Sequence, residues 1–270
     1  MTRKETGVNA RLAPVAGLLL CACGWASGQS LNIDFGTPGT GPQPGYSGVG
    51  LAGAWNVIGA MPNAQVFGLV GLDGSPVAAT IYCLGGAEIV SANIPGTIGN
   101  AQALLDDMFV SYNSPVDLCL FFTGLASGWY EVITYAIDPD NPAGQSRVRV
   151  DFAMPGPVWI GGVWGGSPEF GVTHSRHFVY VSDGRLNPHS GEFGAQYRSG
   201  MNGLQLVFRG ECLKHSDLDR SGQTDTADLV AMLQVFGVIG PAGRPGDMNF
   251  DGAVNTNDLV AFLTEFGTGC

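Results

Sequence analysis

The sequence predicts a mainly β protein, an antiparallel β-sandwich of jelly-roll type followed by a small α-helical module. Short runs of Val, Ile, Phe and Tyr alternate with turn residues, and 42 of the 270 residues are glycine, as is typical of short strands joined by tight turns. Hydrophobic residues make up 45% of the chain, enough for a sizeable core, which excludes an intrinsically disordered protein. The net charge of −11 opposes contact with phosphates, so no nucleic-acid partner is expected.

Residues 1–28 are predicted to be a secretory signal peptide. Basic residues precede an apolar run that is too short to span a bilayer, and small residues follow it: Arg3, Lys4 and Arg11, then 12–23, then 26–28. We therefore expect cleavage after Gly28, a secreted or cell-surface protein, and no integral membrane segment in the mature chain. A lipobox-like alternative, in which 20–22 precede a lipidated Cys23, stays open.

Residues 29–210 are predicted to form the sandwich. Apolar and polar residues alternate at 129–135, 147–152 and 204–208, and further strands are expected at 31–35, 77–83, 86–91, 116–123 and 177–182. One helix is expected near 101–109, with a buried side formed by Leu104, Leu105, Met108 and Val110. The two terminal strands are similar to those of galactose-binding-like and malectin-like domains: Leu31-Asn32-Ile33-Asp34-Phe35-Gly36 and Gly203-Leu204-Gln205-Leu206-Val207-Phe208.

Four cysteines remain once the signal peptide is removed: Cys83, Cys119, Cys212 and Cys270. An even number in an exported protein predicts two disulfides, although four cysteines allow three connectivities. Pairing Cys83 with Cys119, and Cys212 with Cys270, keeps each bond within one module. Zinc binding is the alternative, but the mature chain has no CxxC spacing.

A repeat of thirty residues marks the C-terminal module, 211–270. The segment 217–230 aligns with 247–260, and the match continues to Gly237 and Gly267. Each copy has oxygen-bearing side chains at loop positions 1, 3, 5, 9 and 12 and a glycine at position 6, the pattern of an EF-hand calcium loop. Two Ca²⁺ ions are therefore expected. The candidate ligands, including two position-7 carbonyls, are Asp217, Asp219, Ser221, Gln223, Asp225 and Asp228, then Asp247, Asn249, Asp251, Ala253, Asn255 and Asp258.

One amphipathic helix is expected after each loop and none before it. Each helix has an apolar stripe, formed by Leu229, Leu233 and Phe236 and by Leu259, Leu263 and Phe266. Paired units of this kind at the end of an exported chain resemble a type I dockerin module, over about residues 213–270. The resemblance implies calcium-dependent folding and docking onto a cohesin through the two near-symmetric helices. Cellulosomal dockerins often carry a Ser-Thr pair where this chain has Thr226-Ala227 and Thr256-Asn257, so the expected partner is a cohesin-like or another cell-surface protein.

The sandwich shows no motif that singles out a catalytic residue. Glu131 alternates outward in its strand and is expected to be solvated, as isolated acids usually are. His174 and His177 would point to opposite faces of a strand, so they are not expected to bind one metal ion together unless the strand bends between them. Exposed aromatic rings are suited to stacking on sugars, although large aromatic residues also fill cores. The candidates for glycan contact are Trp164, Trp159, Trp55 and Tyr46.

Together these features predict an exported, non-catalytic binding protein. Its sandwich is expected to recognise a ligand, a glycan, and its calcium module to anchor it to a protein partner. Two alternatives stay open: a secreted polysaccharide-degrading glycoside hydrolase that carries a dockerin, and a structural cell-surface protein without a small ligand.

Overall fold

Two mainly antiparallel sheets enclose the largest part of the core. The computed structural model describes residues 29–59, 62–86, 88–91, 94, 96–112, 117–138, 141, 143–191 and 199–269, so the signal peptide expected at 1–28 lies outside it. No helix in these ranges is both long and apolar enough to cross a membrane. The elements, in chain order, are β1 (Leu31–Phe35), β2 (Trp55–Ile58), β3 (Ala64–Val66), β4 (Thr80–Leu84), β5 (Glu88–Ser91), α1 (Gly99–Leu105), β6 (Asp107–Ser111), β7 (Leu118–Thr123), β8 (Gly128–Tyr135), β9 (Ser146–Val150), β10 (Val158–Ile160), β11 (His174–Val181), β12 (Pro188–Ser190), β13 (Ser199–Met201), β14 (Gly203–Gly210), α2 (Thr226–Gln234) and α3 (Thr256–Glu265).

The sheets pack against one another through their apolar inner faces. One sheet has five strands in the order β11-β8-β14-β1-β2, another has six in the order β10-β9-β12-β7-β4-β3, and a third has three, β13-β6-β5. The described strand pairs are antiparallel except β1 with β2. The predicted fold class, mainly β with antiparallel sheets, is confirmed. The main core includes Leu31, Ile33 and Phe35 of β1 and Leu118, Leu120 and Phe122 of β7.

The outer face of the five-stranded sheet, which points away from this core, is also covered. Ile133 and Tyr135 of β8 and Val207 of β14 pack there against Leu104 and Leu105 of α1. The C-terminal module covers a further part of the same face, as the contacts below show. Most residues of β8 are buried for this reason, on both faces of the strand.

The helix expected near 101–109 is shorter than predicted. It ends at Leu105, and the following residues continue as β6, which pairs with β5 and β13. The side chain of Asn202 donates to the carbonyl oxygens of Leu105, the last residue of the helix, and of Asp107, the first residue of β6, at 2.9 and 3.0 Å. This contact comes from a distant segment, so helical spacing alone does not reveal it. The four residues expected to be buried here are buried: Leu104, Leu105, Met108 and Val110.

Cys83 and Cys119 are free thiols, so the disulfide predicted between them is wrong. They lie on neighbouring strands, where Cys83 pairs with Leu120 and Cys119 pairs with Leu84. Because successive side chains alternate across a strand, the two sulfur atoms point to opposite faces of the sheet. Cys212 is disulfide-bonded. Its expected partner, Cys270, lies outside the described residues.

The C-terminal module has its own small core. Met232, Val254 and Phe262 are fully buried, and Leu229 and Leu259 pack against them. The buried side of each helix is thus centred one position before the leucines at 233 and 263. The rest of the predicted apolar stripe faces outward, with exposed fractions of 40–54%, at Leu233, Phe236, Leu263 and Phe266.

Candidate functional site

Both candidate calcium loops turn sharply at their sixth position, as the repeat predicts. One carboxylate oxygen of Asp217 accepts from the nitrogen of Gly222 at 3.0 Å, and one of Asp247 accepts from the nitrogen of Gly252 at 3.1 Å. Both glycines have a left-handed backbone, with φ of 89° and 85°, which a side chain would strain. The turn therefore folds each loop around its position-1 carboxylate.

The position-12 carboxylates tie each loop to the helix that follows it. Asp228 and Asp258 are fully buried. One oxygen of each accepts two N–H groups from the start of its own loop, and the other accepts the N–H of position 9, at 2.7–3.2 Å. Loop and helix are therefore one structural unit in each repeat.

Position 9 has a second role that was not predicted, as a helix N-cap. The Asp225 side chain accepts from the Ala227 nitrogen at 2.7 Å, and the Asn255 side chain accepts from the Asn257 nitrogen at 2.8 Å. With the position-12 residues they complete a capping box at the start of both helices. The preference of Asp and Asn for N-cap positions is the sequence signal for this role.

The remaining candidate ligands bond to one another inside their loops. The Ser221 hydroxyl donates to the Gln223 carbonyl at 3.3 Å, and the Asn255 amide donates to the Ala253 carbonyl at 3.4 Å. The Asn249 amide donates to Asp251 at 2.9 Å. All candidate ligands therefore lie in two compact loops.

Three carboxylates converge in the first loop. Oxygen atoms of Asp217, Asp219 and Asp228 all lie within 4.8 Å of one another. Burial raises the pKa of Asp217 although Arg209 lies beside it, and burial raises the pKa of Asp247 in the second loop. Close carboxylates in a partly buried loop repel one another, so this donor set fits a divalent cation. Its hard oxygen atoms fit Ca²⁺.

Position 4 of each loop contacts the sandwich. Arg220 and Phe250 both have a left-handed backbone, with φ of 64° and 59°, which is uncommon for residues other than glycine. Arg220 donates to the two carboxylate oxygens of Glu131 on β8, at 2.8 and 3.1 Å. The ring of Phe250 lies 6.4 Å from that of Phe178 on β11, between centroids. Equivalent positions of the two repeats thus meet the outer face of the five-stranded sheet.

The expectation that Glu131 is solvated is wrong. Its side chain does point away from the sandwich core, but the C-terminal module covers it and leaves it 0% exposed. Three arginine side chains lie around it: Arg176 at 2.5 Å, Arg220 at 2.8 Å and Arg209 at 3.6 Å. Burial alone would raise its pKa, but the charges of Arg176 and Arg220 and their hydrogen bonds hold the pKa well below its ordinary value.

Arg209 connects this cluster to the first calcium loop. Its Nη2 atom lies 2.9 Å from Oδ2 of Asp217, the position-1 carboxylate. A cavity of about 170 Å³ opens beside the cluster, and its polar lining comes from His174, Arg176 and Arg220. The junction of the two modules is therefore a charged and closely packed part of the protein.

Cys119 and His189 meet on the outer face of the six-stranded sheet, but they do not form a catalytic pair. His189 Nε2 is 3.5 Å from the Cys119 sulfur and 3.2 Å from Asp151 Oδ1. Arg149 Nη2 lies 3.1 Å from His189 Nδ1, which assigns the ring proton to Nε2. Burial raises the pKa of Cys119 to about 12. A buried thiol beside a histidine that donates is not activated as a nucleophile.

Three of the four aromatic candidates pack against the same apolar cluster. Tyr46, Trp55 and Trp164 lie half-buried against the apolar cluster over the five-stranded sheet. The rings of Tyr46 and Trp55 stack with centroids 6.1 Å apart, and the Trp55 indole N–H donates to the Tyr46 carbonyl at 3.0 Å. Trp159, on β10, is instead 43% exposed. The first three rings therefore lie half-buried against an apolar core, whereas Trp159 is more exposed to solvent.

Other aromatic rings share the outer face of the six-stranded sheet with Trp159. Tyr82 on β4 is 38% exposed, and its ring centroid lies 6.3 Å from that of Phe121 on β7. Four strand spacings separate β10 from β4, about 19 Å. Arg149 and His189 lie on the strands between them. Trp159, Tyr82 and Phe121 form what we call the aromatic sheet face. Of these, only Trp159 was predicted as a contact residue, because alternation alone does not say which side of a strand is covered.

The C-terminal helices expose matching apolar side chains on their outward sides. Each residue in the first repeat has its equivalent thirty residues later in the second, and their exposed fractions are 40–59%. Large apolar residues grouped on a surface in this way are typical of protein interaction sites. This helix-pair surface is formed by Val230, Leu233 and Phe236 and by Val260, Leu263 and Phe266.

No family model matches the sequence, and no curated protein matches it. Among solved structures, the chain is similar to protein YXIM of Bacillus subtilis, with 14% identity and a TM-score of 0.38 over 68% of this chain and 41% of that one. It is also similar to a Bacteroides uniformis β-glucuronidase, with 11% identity and a TM-score of 0.34 over 58% and 20% of the two chains. A further similarity is to the CBM36-1 domain of a multidomain xylanase from the hindgut metagenome of Trinervitermes trinervoides, with 13% identity and a TM-score of 0.27 over 48% and 96%. The chain spans less than half of the first two, and all three are distant likenesses of fold.

Proposed function

We propose that this chain is an exported, non-catalytic binding protein in which the sandwich recognises a glycan and a dockerin-like calcium module anchors it to a protein partner. The observation on which the proposal chiefly depends is the pair of matching loops. Each loop gathers oxygen donors around its position-1 aspartate and is tied to its helix by a fully buried position-12 aspartate.

Calcium is proposed as the resident ion of both loops. Asp217, Asp219 and Asp228 would hold it in the first loop, and their mutual repulsion supports a divalent cation there. Asp247 and Asp258 would do so in the second loop, with the other candidates of each repeat completing the sets. Bound Ca²⁺ would relieve the repulsion among these carboxylates and so stabilise the loop to which the start of each helix is tied.

The helix-pair surface is the proposed docking site for the protein partner, and Leu233→Asp with Leu263→Asp tests it. Both side chains are more than half exposed, so the double variant should keep its fold while placing two charges on the surface. Immobilised full-length protein is incubated with the exported fraction of the source organism, with Ca²⁺ or with chelator. We expect a protein retained only with Ca²⁺, and at least tenfold less of it on the variant.

Val163→Asp is the control for this experiment, because Val163 is 74% exposed on a sandwich loop. It should retain the partner as the wild type does. Retention that is equal with and without Ca²⁺, or equal for the double variant and the wild type, would contradict the docking site.

The aromatic sheet face is the proposed site of glycan contact, and Trp159→Ala tests it. Trp159 presents an exposed ring at one end of a face that carries further rings and polar side chains, and a flat ring suits the apolar side of a sugar. In affinity electrophoresis against a panel of polysaccharides, we expect the variant to bind about tenfold more weakly, equivalent to about 1.4 kcal/mol. Tyr180→Ala, which removes a ring 42% exposed on β11 of the five-stranded sheet, should bind as the wild type does. Equal retention of the Trp159 variant and the wild type would place glycan contact elsewhere, and release of reducing sugar would favour an enzyme.

A further inference from the structure

The carboxylate of Asp34, near the end of β1, is buried without a partner. Asp34 is 0% exposed, and neither of its oxygen atoms accepts a hydrogen bond or forms an ion pair among the described residues. A buried carboxylate with no donor and no counter-ion is strongly destabilising. A position that keeps such a costly group is therefore a candidate for a functional role.

Oxygen atoms from three side chains surround one point beside Gly36, where a Cβ atom on that residue would lie. The distances from this point are 2.8 Å to Asp107 Oδ2, 3.2 Å to Asp34 Oδ2 and 3.3 Å to Thr40 Oγ1. The Thr40 hydroxyl donates its hydrogen to the carbonyl of Thr37 at 2.7 Å, so it can act only as an acceptor toward the two carboxylates. Two carboxylates and a hydroxyl thus present acceptors to one another.

Asn202 provides a further acceptor at this end of the sheet. Its amide nitrogen donates to the carbonyl oxygens of Leu105 at the end of α1 and of Asp107 at the start of β6, whereas its Oδ1 atom is buried and has no donor among the described residues. Asn202 directly precedes Gly203, which is the register partner of Asp34. The unpartnered side-chain atoms of Asp34 and Asn202 are all oxygen acceptors, and such surroundings suit a cation.

We propose that the sandwich binds a divalent cation of the calcium class between Asp34, Asp107 and Thr40. Two carboxylates match a charge of 2+, and carboxylate, hydroxyl and amide oxygens are the donors that Ca²⁺ prefers. The ion would join the end of β1 to the start of β6 and so link the five-stranded sheet to the three-stranded sheet. This site is separate from both loops of the C-terminal module and does not depend on the function proposed for them.

Counting bound Ca²⁺ on the full-length protein by equilibrium dialysis tests the site. We expect three ions on the wild type and two on Asp34→Asn, which keeps the size of the side chain but removes its charge. Gly36→Ala should also bind two, because the new methyl group would occupy the space between the oxygen atoms without removing a ligand. Its backbone is outside the left-handed region, so alanine is compatible with the conformation. Asp73→Asn, in an exposed turn of the sandwich, is the control and should bind three.

The possible counts separate this site from the loops. If only the loops bind, the wild type and Asp34→Asn both hold two ions, and the proposal is wrong. If only the sandwich site binds, the wild type holds one and the variant none, which supports the site and contradicts the loops. A proton is the competing occupant, and in that case Asp34→Asn would raise the melting temperature and leave the count unchanged, which also overturns the proposal.

Discussion

Removal of Ca²⁺ from the full-length protein is expected to abolish most of its helical circular dichroism and to leave the β signal of the sandwich. Helices α2 and α3 contain most of the described helical residues, and each starts within a candidate calcium loop. Their shared core has few fully buried apolar side chains, chiefly Met232, Val254 and Phe262. A core of this size supplies little stability by itself, whereas one ion at a thousandfold excess over its Kd contributes about 4 kcal/mol. Titration with chelator, followed by readdition of Ca²⁺, measures the effect.

Asp247→Asn tests one loop alone. The two oxygen atoms of the Asp247 carboxylate accept backbone N–H groups from Gly243, Asp251 and Gly252 at 3.1–3.2 Å, so the amide keeps the volume, removes the charge and replaces one acceptor by a donor. We expect the Ca²⁺ affinity of the second loop to fall at least tenfold, with earlier loss of helix in the chelator titration. Asp183→Asn, an exposed acid of the sandwich 3.9 Å from Arg185, should change neither. Helix that persists in chelator, or wild-type affinity in Asp247→Asn, would contradict the calcium assignment.

Features that depend on neighbours in the sequence were predictable. The strands predicted at 31–35 and 129–135 identify β1 and nearly all of β8, because a strand-like run of residues is visible within a few consecutive positions even where both faces become buried. The loops were found for a similar reason, since their ligand spacing lies within twelve consecutive residues. Strands of three residues, such as β3 and β12, are too short to show alternation.

Features that depend on what covers a surface were not predictable. Alternation correctly places Glu131 on the outer side of β8, but only the folded structure shows that a second module buries it. Leu233 and Met232 are both apolar and adjacent, and tertiary packing decides that Met232 enters the core. Asp34 likewise appears as one acid in a strand, and its convergence with Asp107 depends on β6, more than seventy residues away.

Glu131→Gln is expected to destabilise the protein by about 3–5 kcal/mol, because it leaves the buried Arg176 without its counter-ion. The side chain of Arg176 is only 9% exposed, so water does not replace the lost carboxylate, whereas Arg209 keeps its ion pair with Asp217. Glutamine keeps the shape of the residue, so lost volume does not explain the effect. Scanning calorimetry with Ca²⁺ present should show a melting temperature lower by roughly 10 °C. In a double-mutant cycle with Arg220→Gln, the two effects should fall short of additivity by at least about 1 kcal/mol.

The effect of Glu131→Gln should also depend on pH. The fold lowers the pKa of Glu131 from its ordinary value of 4.5, so the stability that its charge contributes is complete above that pH and is lost as the pH falls through the folded value. The difference in stability between wild type and variant should therefore be constant near neutral pH and shrink in acid. A difference that stays constant into strong acid would show that the charge of Glu131 is not its source.

Because Arg220 belongs to the first calcium loop and contacts Glu131 at 2.8 Å, the Glu131→Gln variant should weaken Ca²⁺ binding in that loop and not in the second. If the first loop of the variant binds Ca²⁺ as tightly as the first loop of the wild type, the junction holds the two modules together without influencing the metal.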